Sequence, residues 1–445
     1  MKTILFFICV LIGFAPKSRI QASDVITEDV NWIKNIANVQ DQKSGITIHE
    51  SIQLETDKIF EKLVQIRREF HKYPEISGEE KRTQEVIKNH LLDLGLLVET
   101  DIYGYSIVGV LEGGKDGKNI AWRTDIDALP DESPDNVYFS SLTKGAKHSC
   151  GHDVHMAIAL GIAEILSKNR DSLHGVVYFI FQPEEETFEG AKGMLDNNLL
   201  AKFKIDEIYG LHVTPAPVGL IMVKPNEMYA YPKRVRIELK NTLSDGEVKN
   251  LATKIRNSLV RTNDGRNSLD MSSLVDFEIG LTNPNTVFKD YLITEENVGT
   301  YSINDKSYID IQMYETDSAR LKNIIPAIKQ VIKDQNYISK LLSVSYISEN
   351  PIVTNNPKLT NNSINILNNI YGKGFVTSIY GQVPYSNDDF AYFQQKIPGV
   401  YFFLGASNFE KGIIAMMHAP YFRVDEECIR IGVKGFSSLI VERLK

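Results

Sequence analysis

Gly175-Val176-Val177-Tyr178-Phe179-Ile180-Phe181 runs directly into Gln182-Pro183-Glu184-Glu185-Glu186. A short segment that is apolar at almost every position reads as a strand whose sheet is covered on both faces. The proline ends that strand, and carboxylates follow just past its carboxyl end. Open α/β sheets gather their polar sites at that end. This stretch therefore sets the expected fold as α/β, and its neighbours extend the pattern.

Upstream, Cys150-Gly151-His152-Asp153-Val154-His155 leads into a helix expected over 154–167. Strands are expected at Val98–Asp101, Tyr105–Leu111 and Asn119–Ile126, the last entering Asp127-Ala128-Leu129-Pro130. Before them, Leu54, Ile59, Phe60, Leu63, Ile66 and Phe70 recur at helical spacing from Ile52 until Pro74. A second helix spans Glu79–Leu94, and Gly95 ends it. Downstream, Ile208-Tyr209-Gly210-Leu211-His212 reads as a strand with a histidine at its end.

The texture changes over residues 229–348. Strand Arg234–Leu239, helix Glu247–Leu259, strand Ser273–Leu281, strand Tyr308–Met313, helix Ala319–Lys333 and strand Leu341–Ile347 give a β-α-β-β-α-β order. That is a two-layer α+β unit with one helical face. It holds no histidine and no cysteine. Helix Asn361–Tyr371, strand Gly399–Leu404 and a helix from Glu426 then resume the α/β pattern. The expected organisation is a catalytic domain in two parts, 51–228 and 349–445, with a satellite domain at 229–348 inserted between them.

At the amino end, Lys2, an apolar stretch from Ile4 to Pro16 and the polar lead to Ala22 have the layout of a secretory signal peptide, residues 1–22. The apolar core is shorter than the roughly 20 residues that span a bilayer, so cleavage after Ala22 is favoured over an anchor. Residues 23–50 read as an extension. The mature protein is expected to be secreted or periplasmic, without stable membrane association. A formal charge of −8 with no polybasic tract argues against nucleic acid as a partner. Cleavage removes Cys9 and leaves Cys150 and Cys428, which an oxidising compartment would permit to pair. A metal-bound thiolate accounts for Cys150 without that bridge, and we favour it.

Thiolate, imidazole and carboxylate are the ligands of zinc and related ions. Cys150, His152, Glu186, His212 and His418 are too many for one open tetrahedral site and suit two ions sharing ligands. Glu185, next to a ligand, is then placed to act as general base and later as acid. Each residue also has a plainer reading. A glutamate run is ordinarily a solvated turn, His212 alone a satisfied core histidine, and His418 a loop residue. His71 and His155 are read as orienting neighbours, and His49, His90, His148 and His174 carry no signal.

Taken together, the motifs resemble the di-metal peptidase family of aminoacylase and the glutamate-releasing carboxypeptidases, particularly its hippurate hydrolases and auxin-conjugate amidohydrolases. The resemblance runs from Arg67-Arg68-Glu69-Phe70-His71 to the carboxyl terminus. It includes Arg123-Thr124-Asp125-Ile126-Asp127-Ala128-Leu129-Pro130, the Cys150 and Glu185 motifs, Leu211-His212-Val213, Ser386-Asn387-Asp388-Asp389-Phe390 and His418-Ala419-Pro420. It implies a mixed-sheet, di-metal exopeptidase-like catalytic domain. It further implies Cys150, His152, Glu186, His212 and His418 as metal ligands, Glu185 as general base, and Asp127 and Asp153 as supports for the ligands. Glu184 stands where a small residue is usual in the family. The cofactor implied is two divalent ions, zinc foremost, with manganese, cobalt or nickel compatible. The substrate implied is an N-acyl amino acid or short peptide-like amide, and a homodimer through the satellite domain is implied as well.

One departure stands out. In the family a glycine-rich segment with Gly-Gly-His follows the first satellite strand, and that histidine reaches an active site to hold substrate or oxyanion. Here Arg236-Ile237-Glu238-Leu239-Lys240 leads to Asn241-Thr242-Leu243-Ser244-Asp245-Gly246. Loss of an oxyanion donor costs about 10²–10³-fold in rate. The reading is an exported metal-dependent amidohydrolase; its rival is a non-catalytic relative that keeps the metal site as a binding or interaction protein.

Overall fold

Helix α1, Ile48–Lys72, buries Ile52, Ile59, Phe60, Leu63 and Phe70 on one stripe and ends two residues before Pro74. The structure, a computed structural model, describes residues 46–262 and 269–445. The expected signal peptide and nearly all of the expected 23–50 extension lie outside the described residues. After α1 come helix α2, Lys81–Asp93, and strands β1, Leu97–Thr100, β2, Ile107–Glu112, and β3, Lys115–Asp125. Helix α3, His152–Lys168, strand β4, His174–Gln182, helix α4, Gly190–Asp196, and strands β5, Glu207–Pro217, and β6, Ile221–Val223, follow.

The chain then builds a second sheet. It runs β7, Tyr231–Lys240; α5, Asp245–Leu259; β8, Leu292–Thr294; β9, Gly299–Ile303; β10, Lys306–Glu315; α6, Leu321–Asp334; and β11, Leu341–Ser348. The return consists of α7, Pro357–Tyr371; β12, Val376–Ser378; α8, Phe390–Gln394; β13, Gly399–Ser407; and α9, Glu427–Leu444.

The main sheet has eight strands in the order β1-β2-β4-β3-β5-β13-β6-β12. Its centre, β4-β3-β5-β13, is parallel, whereas β1 with β2, β2 with β4 and β6 with β13 are antiparallel. The sheet is thus mixed, within an α/β architecture, as expected. Helices α1, α3 and α9 cover one face, and every residue of α3 from His152 to Leu166 is buried. Gly161 permits this close packing: a Cβ there would lie 2.6 Å from Val433 Cγ2 and 2.8 Å from Leu63 Cδ1.

In the second sheet β8, β10, β7 and β11 pair antiparallel in that order, with β9 also on β10. Val235, Ile237 and Leu239 face Ile324, Ile328 and Ile332 of α6 and Val248, Leu251 and Ile255 of α5 in a separate core. Ser244 caps α5 in a reciprocal capping box with Glu247.

The strand expected at Ser273–Leu281 does not form. Met271–Val275 is a short 3-10 helix, the chain through Leu281 is turns, and the partners of β10 come later as β8 and β9. The apolar alternation is real, but Leu274 and Leu281 pack with Met222, Tyr229 and Phe403 on the outer face of the main sheet rather than in a ladder. His212 also differs from expectation. It lies inside β5, not at its end, because β5 leaves β3 at Gly210 and continues along β13 to Pro217. Among the described residues no helix is long and apolar enough to cross a membrane.

Candidate metal centre

Four places in the chain deliver the predicted residues to one point. Cys150 and His152 flank Gly151, the left-handed residue (φ +99°) that starts α3. Glu185 and Glu186 lie in the turn after β4, His212 projects from β5, and His418 comes from the loop before α9. The His418 amide donates to Ser149 O at 2.9 Å, which ties that loop to the cysteine loop.

Cys150 Sγ lies 3.3 Å from His212 Nε2 and 3.2 Å from His418 Nε2. His418 Nε2 is 3.3 Å from Glu186 Oε1. His152 Nε2 stands 3.8 Å from both Glu186 Oε1 and Glu185 Oε2. Cys150, His152 and His212 form one triad of donors, and Cys150, Glu186 and His418 form another, each with its atoms within 4.8 Å of one another. Cys150 belongs to both. It and Cys428 are free thiols, so the disulfide weighed from the sequence does not form.

Hydrogen bonds assign the imidazole tautomers. His152 Nδ1 donates to Asp127 O at 2.8 Å and His212 Nδ1 donates to Val213 O at 2.7 Å. Each ring, when neutral, therefore leaves its Nε2 lone pair facing the cluster. His155 is spent on both sides. Its Nδ1 donates to Asp125 Oδ1 at 2.6 Å, and its Nε2 accepts from Val213 N at 3.0 Å. It orients its neighbours and has no lone pair left for an ion.

The residues fit a cation. His152 Nε2 and Glu186 Oε1 are buried with no hydrogen-bond partner. Each such orphan costs about 1–3 kcal/mol unless something takes its lone pair. Burial, then the carboxylates of Glu186, Glu185 and Asp125, push the Cys150 thiol well above its usual range. A cation at Sγ reverses that balance. Burial opposes charge on His152, yet Asp125, Asp127 and Glu186 outweigh it and raise it to about 10. Burial and the neighbouring His155 hold His212 well below its ordinary value.

Glu185 and Glu186 behave unlike Glu184. Glu184 turns away at φ +54°, its amide donating to Glu80 Oε1 at 2.9 Å. Glu185 is 5% exposed. Burial, followed by Asp388, Glu186 and Asp389, pushes its carboxyl well above the usual range, against a smaller pull from Arg123. Arg123 lies wholly buried, with Nη1 2.8 Å from Asp125 Oδ2 and Nη2 2.8 Å from Asp389 Oδ1. Tyr401 donates its hydroxyl to Asp388. Asp127 Oδ2 accepts from Ser77 Oγ at 2.7 Å and from the Glu186 amide at 3.1 Å, bracing the Glu186 turn against His152.

A cavity of about 400 Å³ opens on this cluster. Cys150, Glu185, Glu186, His212 and His418 form its polar end, and Met222, Tyr229, Leu274 and Phe403 line its apolar sides. The profile of peptidase family M20/M25/M40 matches residues 121–442. The chain belongs to this family. It is thereby a metal-dependent hydrolase of amide bonds. The thermostable carboxypeptidase 2 of Saccharolobus solfataricus is 29% identical over 404 residues, spanning 88% of this chain and 98% of the relative. The N-acetyldiaminopimelate deacetylase of Lactococcus lactis is 29% identical over 396 residues, 85% and 97% of the two chains. The dinuclear metal-binding M20 peptidase YXEP of Bacillus subtilis superposes with a TM-score of 0.70 at 24% identity, covering 87% of this chain and 99% of its own.

Sequence reasoning passed over three features of this M20 site. Asp388 and Asp389 had drawn notice only as part of a motif, though they flank Glu185 in one acidic group. Asp125 holds His155, and its position at the end of an apolar strand is the signal that would have found it. Tyr229 sits 3% exposed in the cavity wall, and nothing in its local sequence marks it.

Proposed function

We propose that the protein hydrolyses N-acyl amino acids or short peptide-like amides, and that Cys150, with the residues around it, would hold two divalent ions, zinc foremost. His152 and His212 would hold one ion with that thiolate, and Glu186 and His418 the other. The catalytic domain in this reading comprises 51–228 and 349–445, with 229–348 as a satellite. Bound there, the ions supply Lewis acidity to the scissile carbonyl and to water.

Glu185 handles the proton. It takes one from the attacking water and passes it to the departing amine nitrogen. Its burial beside Glu186 keeps bulk water from competing for that proton. Asp127 and Ser77 hold the Glu185–Glu186 turn in place while this occurs. The apolar cavity walls keep bulk water from the reacting bond.

The observation that carries this reading is the convergence of five ligand side chains beside a buried glutamate, with His152 Nε2 and Glu186 Oε1 left unpartnered. Glu185→Gln tests it. The variant is expected to retain its ions and lose about 10²–10⁴-fold in kcat; a loss under tenfold would contradict the role. The absence of histidine from 229–348 favours the non-catalytic alternative. That alternative predicts no turnover in the natural chain and no measurable effect of the substitution. Export with cleavage after Ala22 is part of the proposal, and a mature chain beginning elsewhere than Ser23 would refute that site.

A further inference from the structure

We infer that the stretch Leu269–Phe288, sent by the satellite back across the main sheet, is the specificity wall of the cavity. It selects an amide carrying an uncharged, apolar side chain beside the scissile bond. This rests on the hydrolase reading and deepens it by naming the substrate class.

The stretch belongs to the satellite by sequence and to the main sheet by packing. It connects α5 to β8, yet Leu274, Leu281 and Phe288 are buried in the main sheet's outer core and contribute nothing to the satellite core. Its backbone is pinned to the segment that runs into the cavity. Tyr380 N donates to Leu281 O at 2.8 Å and Gln382 N to Phe288 O at 2.9 Å. Gly381 makes that approach possible, since a Cβ there would lie 2.7 Å from Phe288 Cβ. The contact is therefore built into the fold of this chain.

The wall's chemistry is one-sided. Met271, Leu274, Val275 and Leu281 enter the cavity from this stretch, with Met222 and Phe403 beside them. Among the described residues that line the cavity there is no lysine or arginine, and its carboxylates are Glu185 and Glu186. An acidic side chain set against this wall, away from the ions at the polar end, would be desolvated with no lysine or arginine to pair with it, which is costly. An apolar one replaces water against the wall at a gain. Methionines at the wall adapt to shape, so discrimination is by polarity rather than by fine fit.

The test reads binding rather than turnover. The zinc-loaded Glu185→Gln chain is titrated calorimetrically with N-acetyl-leucine, N-acetyl-methionine and N-acetyl-glutamate. The apolar pair is expected to bind at least tenfold more tightly than the acidic one. Met271→Lys and, separately, Val275→Lys, both at half-buried positions, are expected to erase or reverse that order, with melting curves confirming that each variant folds. Equal affinities, a preference for N-acetyl-glutamate, or no binding by any of the three overturns the inference, as does an unchanged order in a folded variant. Tenfold preference for the apolar ligands combined with no turnover by the natural chain leaves this inference standing and removes the hydrolase reading instead.

Discussion

Glu80 begins α2, and its Oε1 accepts the Glu184 amide at 2.9 Å while its Oε2, also buried, has no hydrogen-bond partner. Burial, against backbone hydrogen bonds that pull the other way, pushes its carboxyl up to about 7. A folded-state value above the ordinary one means the native chain binds the extra proton. The associated stability is complete below about pH 4.3 and is lost as pH rises through about 7. Glu80→Gln keeps an acceptor for Glu184 N and removes the buried charge. It should raise the melting temperature at pH 8, by on the order of 1–3 kcal/mol of stability, and leave pH 4 nearly unchanged. A variant equally destabilised at both pH values would show that the carboxyl is not buried as described. At this scale the sequence was most legible where chemistry is rare. Cys150, His152, His212 and His418 stood out because thiol and imidazole seldom cluster by chance. Asp125, Asp388 and Asp389 did not, because carboxylates are common and only depth distinguishes these from surface acids.

The elements are where the ligands acquire their geometry. Gly151 lets the cysteine loop turn into α3 at φ +99°, and a Cβ there would lie 2.4 Å from Val213 Cγ2. Val213 is the residue whose amide holds His155 and whose carbonyl holds His212. Gly151→Ala should therefore push the Cys150–His152 pair away from β5. It should cost roughly 1–3 kcal/mol of stability and weaken metal retention in a chelator competition. Unchanged retention would mean that the loop and β5 are not coupled. Strand β4 was readable because a nearly unbroken apolar run admits few alternatives. Ser273–Leu281 was misread because alternation specifies a half-buried surface, not the partner that buries it. Leu274 and Leu281 found theirs on the main sheet, across from their own satellite.

Taken whole, the molecule concentrates acids at one place and supplies little to balance them. Asp125, Asp127, Glu185, Glu186, Asp388 and Asp389 converge near the carboxyl ends of the central strands, and Arg123 is the buried arginine among them. Such a charge set is costly to bury unpaired and is stabilised by cations. The large sheet and the loops past its strand ends position that field. Elemental analysis of the purified natural chain, after dialysis against metal-free buffer, tests this most directly. About two zinc-class ions per chain, removable by chelation with a fall in melting temperature, is the predicted result. A chain that binds no divalent ion even after reconstitution, and melts identically with and without chelator, would contradict the account.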